Sequence, residues 1–267
     1  MKRNPSGQLF FAIFTASLIA LLGTLANADE PAGEKGKQNE KEMPPVKKND
    51  GKKWTNLTGH WKNCEFGGDG EIKITDKLIK LGYGDPITGV FWTGKEKNAI
   101  PTDNYEFEVE GRRTEGFDFF CAVTFPIAKS HASLVMGGWG GGVFGISSID
   151  DRDASDNNTT MFMNFENGKW YRARVRVEQT RLAVWLDDKL LFEHERKGHK
   201  FDIRYEMDLC TPFGLANYQC KSEIRSVRIR KLAKEELGIK LSPKKKGEKV
   251  EKALAPVKPE AKSTTEK

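Results

Sequence analysis

Residues 168–193 read GKWYRARVRVEQTRLAVWLDDKLLFE, and the two-residue period of this stretch restricts the fold more than any other feature of the chain. Tyr171, Ala173, Val175 and Val177 fall on every second position, while Arg172, Arg174, Arg176 and Glu178 take the alternate ones. An extended strand sends these two sets to opposite faces, whereas a helix would mix them around its circumference. After a short connection at Gln179–Arg181, Leu182, Val184 and Leu186 resume the alternation, and Asp187-Asp188-Lys189 turns the chain back into Leu190, Leu191 and Phe192. The pattern predicts an antiparallel meander with one wet face.

Short apolar or alternating segments bounded by Gly, Asp and Pro continue on both sides. They predict strands at 54–61, 70–75, 77–82, 87–92, 104–113, 117–125, 132–136, 142–147, 161–165, 213–218 and 224–229. Within 104–113, Tyr105, Phe107 and Val109 share one face and Glu106, Glu108 and Glu110 the other, an acidic row complementary to the arginines of the meander if the two strands are neighbours. No helix of useful length is indicated beyond one turn at 233–237. So many short strands in one domain predict an all-β, two-sheet antiparallel jelly-roll sandwich.

The domain is flanked by segments of other kinds. Residues 1–28 have the form of a secretory signal: Lys2 and Arg3, an apolar run from Leu9 to Leu25, and Ala26-Asn27-Ala28 before Asp29. Once it is removed, no apolar run long enough to span a membrane remains, and export to the periplasm or the exterior is expected. Residues 29–53 and 233–267 are rich in Lys, Glu and Pro with little to bury, the composition of disordered tails. This leaves 54–232 as the folded domain. The chain carries +6, but the signal holds +2, the linker +1 and the tail +4, so the domain itself stands at −1. A nucleic-acid reader would concentrate positive charge on a folded face; none is expected here.

Cys64, Cys121, Cys210 and Cys220 all follow the signal and could form disulfides after export. Cys121 lies in an apolar strand and reads as a packed thiol. Cys210 and Cys220 flank an extended segment whose ends are about 20 Å apart, beyond the reach of a bridge. Cys64–Cys220 is the expected pair, because the first and last strands of closed sandwiches lie side by side. No Cys or His spacing indicates a zinc site.

The order W-Y-R-x-R-V-R-V, then a Trp followed by Asp187-Asp188, then P-F-G-x-A at 212–216, resembles the concanavalin A-like (laminin G-like) jelly rolls. More narrowly, NYEFEVEGRRTEGFDFFCAVTFPI, GGWGGGVFGISSIDDRDAS and FENGKWYRARVRV are similar to a group of secreted bacterial domains labelled 3-keto-disaccharide hydrolase. The resemblance implies a glycan or oligosaccharide partner, met on a concave sheet or on loops at its rim. The family's acid-x-Gln-x-x-Asp strand survives here only in its terminal Asp150, which counts against hydrolysis.

Candidates for such a site cluster between Glu115 and Asn158. The run 137–142, five glycines around Trp139, puts a large ring where no local side chain shields it: either a sugar platform or a ring folded back onto the sheet. Trp92 and His131 are further ligand-binding candidates, as are Asp150 and Asp153. Glu115 and Asp118 could supply the two carboxyls of a glycosidase, or Asp118 could bond nearby backbone or Arg113. Asp150, Asp151, Asp153 and Asp156 form an oxygen-rich loop that reads as a solvated turn or a calcium site; no other cofactor is implied. Three functions stand: an exported carbohydrate-binding or interaction domain, a glycoside hydrolase, and a structural envelope protein.

Overall fold

The computed structural model describes residues 53–94 and 100–241; the signal, nearly all of the first linker and the tail beyond Leu241 lie outside the described residues. The described chain is almost wholly β: β1 (Thr55–Asn56), β2 (Trp61–Asn63), β3 (Ile72–Ile74), β4 (Ile79–Leu81), β5 (Ile87–Trp92), β6 (Tyr105–Gly116), β7 (Cys121–Ile127), β8 (Ser130–Gly137), β9 (Val143–Ser147), β10 (Met161–Phe162), β11 (Tyr171–Val177), β12 (Arg181–Leu186), β13 (Lys189–Glu195), β14 (Gly214–Tyr218) and β15 (Cys220–Lys231). The first sheet runs β13-β12-β11-β6-β15-β4-β3, with β1 also on β15; the second runs β10-β9-β8-β7-β14-β5-β2. All pairings are antiparallel, and the two sheets stack as the expected jelly-roll sandwich.

The alternating residues sort as their period demands. Tyr105, Phe107 and Val109 of β6, Ala173, Val175 and Val177 of β11, and Leu182 and Val184 of β12 face inward and meet Cys121, Val123, Phe125, Leu134, Met136, Phe144, Ile146 and Leu215 of the second sheet. Rings of Phe107, Phe125 and Phe213 lie 5.0 and 5.4 Å apart across this interior, at the separations aromatic pairs favour.

On the outer face of the first sheet, β6 lies between β11 and β15. The register sets Arg172, Arg174 and Arg176 opposite Glu110, Glu108 and Glu106, as the complementary rows require. β15 supplies a second basic row on the other side: Arg225 pairs with Glu110, Arg228 with Glu108 and Arg230 with Glu106, at 2.7, 2.7 and 2.6 Å. Trp170, Trp185 and Trp54 lie over these guanidiniums, with Arg225 4.0 Å from the Trp170 ring, Arg174 4.0 Å from Trp185 and Arg228 4.7 Å from Trp54. The tryptophans shield the ion pairs from water, so this face is a closed polar layer rather than a wet one. Past β15 the chain makes one 3-10 turn at Lys234–Glu236, where the Glu236 carboxylate accepts from Arg230 at 2.7 and 2.9 Å.

Several expectations fail: the strand predicted at 54–61 is instead β1 in the first sheet and the start of β2 in the second, and the one predicted at 161–165 stops at Phe162. The strand predicted at 117–125 begins only at Cys121, because the chain bends at 117–119; Phe120 then turns inward onto Phe165 and Tyr171 instead of joining the outward face of Ala122 and Thr124. The Cys64–Cys220 pairing is also corrected. Cys64 follows β2 at the edge of the second sheet, whereas Cys220 opens β15 in the first and its thiol donates to the Phe119 carbonyl at 3.2 Å. In this structure all four cysteines are thiols, and the neighbour of Cys64 is Cys210.

Candidate functional site

The outer face of the second sheet is covered differently from that of the first. The segment after β13 crosses it, makes a 3-10 turn at Tyr205–Cys210, and packs Met207 and Cys210 against Ile87, Ala122 and Ala216 as a small second core. This close approach depends on Gly214 of β14, where a Cβ would fall 2.6 Å from the Cys210 Cβ and 2.4 Å from its carbonyl oxygen. The crossing segment does not fill this face completely. A cleft of about 470 Å³ opens there, with Ala122, Ser133, Val135 and Ser147 of β7, β8 and β9 at its base, and with Asp118, Phe119, Trp139, Tyr218, Arg204, Tyr205 and Glu206 around it.

Trp139 belongs to the β8–β9 connection, a single turn in which Trp139 takes φ 49 and ψ 56 and is 45% exposed. Left-handed backbone is rare for a bulky residue. Asp118 holds the turn in place: one carboxylate oxygen accepts from the Gly140 N–H at 2.9 Å and the other from the Phe119 N–H at 2.7 Å. Arg113 fastens the same bend from beneath, donating to the Asp118 carbonyl at 3.0 Å and the Phe165 carbonyl at 2.6 Å. At Gly141 any side chain would strike the Phe117 carbonyl, with a Cβ 2.2 Å from its oxygen. The glycines thus serve to bring the turn close to the 117–119 bend and to present the one ring between them.

Tyr205, also at the cleft, is 79% exposed. Its neighbour Arg204 is clamped between Asp153 at 2.5 Å and Glu206 at 2.8 Å. Burial works against the Glu206 carboxylate, but the hydrogen bond from Arg204, hydrogen bonds from the backbone and Tyr205, and the Arg204 charge together outweigh it and hold the pKa below the usual glutamate value. The cleft's one cation among its lining residues is therefore neutralised twice over, and the site is mildly acidic.

The sequence candidates divide accordingly. Trp139 and Asp118 line the cleft, and Asp153 reaches it through Arg204. Glu115 is not among the lining residues: it sits on β6 in the first sheet and pairs with Lys221 at 2.7 Å on the surface. Asp118 follows its structural reading, spent on backbone amides. Trp92 lies inward at the sheet edge, 5.5 Å from the Trp61 ring and 5.4 Å from His60. His131 lies at the start of β8, opposite Pro126 and outside the cleft lining, with burial pushing its pKa below the usual imidazole value.

The calcium reading also finds no support in the geometry. Asp150 bonds His199 Nδ1 at 2.6 Å and the Lys200 amide at 2.8 Å, Asp151 pairs with Lys200 at 2.7 Å, and Asp153 with Arg204. These carboxylates diverge to separate basic partners, and among the described residues no cluster of His, Cys, Asp or Glu converges as metal ligands would. Tyr205, Arg204, Glu206 and Tyr218 were not singled out from sequence. Their one signal is Tyr205 and Leu209, two large apolar residues in a charged connection that has neither strand nor helix period.

Residues 46–230 match the family of 3-keto-alpha-glucoside-1,2-lyase-like domains. None of the curated proteins matches the sequence. Among solved structures, a carbohydrate-binding module from Bacillus subtilis is similar at 14% identity and a TM-score of 0.42, over 64% of this chain and 95% of that one. A structure from work on endo-acting O-glycanases of the human gut microbiota gives 16% identity and 0.44, over 67% and 96%. A carbohydrate esterase of the Shiga toxin-encoding bacteriophage phi24B gives 8% identity and 0.46, over 68% and 100%.

Proposed function

The chain belongs to the 3-keto-alpha-glucoside-1,2-lyase-like domain family, and on that premise we propose that it is an exported carbohydrate-binding domain holding a neutral saccharide in the cleft beside Trp139. The observation that carries the reading is Trp139 itself: an exposed indole kept in left-handed backbone at a cleft rim by Asp118. Strain of this kind persists where the surroundings over-determine it, and such sites are commonly functional. An indole face suits the apolar face of a pyranose, and Tyr205 offers a second ring. The cleft volume of about 470 Å³ lies within the range of small-ligand sites. Its acidic lining disfavours uronic and sialic acids, which would bring like charge against Asp118 and Glu206.

Catalysis is the second reading, because the family name denotes a lyase. Elimination across C1 and C2 of a 3-keto-glucoside requires a base to take the C2 proton, which the adjacent ketone acidifies. The carboxylates lining the cleft are otherwise engaged: Asp118 by two backbone amides, Glu206 by Arg204. The Glu206 carboxyl is held below the usual glutamate value, which favours binding over proton abstraction.

A glycan array followed by product analysis on the bound compounds tests the proposal. Binding of neutral saccharides without turnover, weakened about tenfold or more in Trp139→Gly, is expected. Turnover of a 3-keto-glucoside that disappears in Asp118→Asn while binding persists would replace this reading with the enzymatic one.

A further inference from the structure

Cys64 and Cys210 are 146 positions apart in the chain, yet their sulfurs lie 3.5 Å from one another and both residues are buried. We propose that these two cysteines form a disulfide that staples the 3-10 wall of the cleft to the edge of the second sheet. Cys64 sits just past β2, the edge strand, and Cys210 closes the Tyr205–Cys210 turn that carries Tyr205 and Met207. A bond between them would join two elements that otherwise meet through the side chains of the small second core.

Disulfides have sulfurs about 2.05 Å apart, so the thiols need to close by roughly 1.5 Å, a side-chain adjustment. The oxidant is of the disulfide class, a protein or small-molecule disulfide. A surface depression bordered by Lys62, Glu65, Phe91, Asp208 and Leu209 reaches Cys64, whereas Cys210 is fully buried beneath the turn. Cys64 is therefore the thiol that meets the oxidant. Its thiolate attacks one oxidant sulfur and releases the other as a thiol. Cys210 then attacks the mixed disulfide at the Cys64 sulfur and releases the second. One S–S bond forms here and one breaks in the oxidant, two electrons pass to it, and the protons of Cys64 and Cys210 end on the two product thiols. The hydrogen bond with Cys64, and then burial, push the Cys210 thiol well above the ordinary thiol range, which makes exchange faster as the pH rises.

The other two cysteines have different surroundings. Cys121 is enclosed by the core, Cys220 donates to a carbonyl, and burial pushes the Cys220 thiol up to about 12. They should remain thiols.

The test is incubation of the full chain with oxidised and reduced glutathione at mildly alkaline pH, followed by unfolding, alkylation and peptide mapping. The expected product is a Cys64–Cys210 linked peptide, with alkylation confined to Cys121 and Cys220 and a loss of about 2 Da before alkylation. Its melting temperature should exceed that of the reduced protein by roughly 10 °C, since the bond closes a long loop. Four alkylatable thiols after equilibration, or a link through Cys121 or Cys220, would overturn the proposal. The mapping uses the native sequence, so the result does not depend on whether Cys64→Ser or Cys210→Ser folds.

Discussion

Trp139, with φ 49, occupies a conformation that costs an L-residue about 1–2 kcal/mol. A ring that only filled space could be carried on an unstrained neighbour, so replacing it separates its two effects. Trp139→Gly should leave the protein as stable or raise stability by about 1 kcal/mol, because glycine adopts this backbone freely. It should also weaken saccharide binding about tenfold or more, as loss of a central aromatic contact does. Urea unfolding and calorimetric titration of the same variant read the two effects. Asp118→Ala leaves the Gly140 and Phe119 amides without their acceptor and should destabilise the fold by about 1–3 kcal/mol, with binding weakened through the loosened turn.

At the scale of the element, β6 is the axis of the first sheet, and Glu106 is its most enclosed charge. Its carboxylate oxygens meet Arg176 at 2.5 Å and Arg230 at 2.6 Å, and the Arg230 side chain is only 2% exposed. Removing the acid strands two enclosed guanidiniums, so Glu106→Ala should cost about 3–5 kcal/mol in urea unfolding. Glu115→Ala, which breaks the exposed pair with Lys221 on the same strand, should cost less than about 1 kcal/mol. Half of this ladder was legible beforehand. Glu106, Glu108 and Glu110 share the two-residue period of Arg172, Arg174 and Arg176, and complementary rows imply neighbouring strands. The β15 row escaped notice because Ser226, at φ 57, interrupts the strand where its register on β6 shifts, and spaces the arginines at 225, 228 and 230. A bulge breaks the very period by which strands are read.

Over the whole molecule, one sheet closes its outer face with ion pairs under tryptophans and the other leaves a cleft. The strands that make both were readable because inward and outward residues alternate. The site was readable only where composition itself is unusual, in the glycines around Trp139. The wall at Tyr205–Cys210 has no periodicity, and its place over the sheet arises from long-range packing on Ile87, Ala122 and Ala216. The acid response should also be a property of the whole fold. Burial holds His131 and His194 below the usual imidazole value. Between those lowered values and about 6.5, the unfolded chain binds more protons than the folded one, so stability falls as the pH drops through that window. Unfolding midpoints at neutral and mildly acidic pH should show the decline, and His194→Gln should reduce its slope.

The central claim is that the cleft on the second sheet is a saccharide site. Chemical-shift titration of the isotope-labelled protein with a neutral saccharide that it binds addresses this most directly. The account predicts saturable shifts at Ala122, Ser133, Val135, the Trp139 indole and Tyr205, with the Glu106–Arg230 face unchanged. Shifts confined to that charged face, or none at the cleft while binding persists, would contradict it.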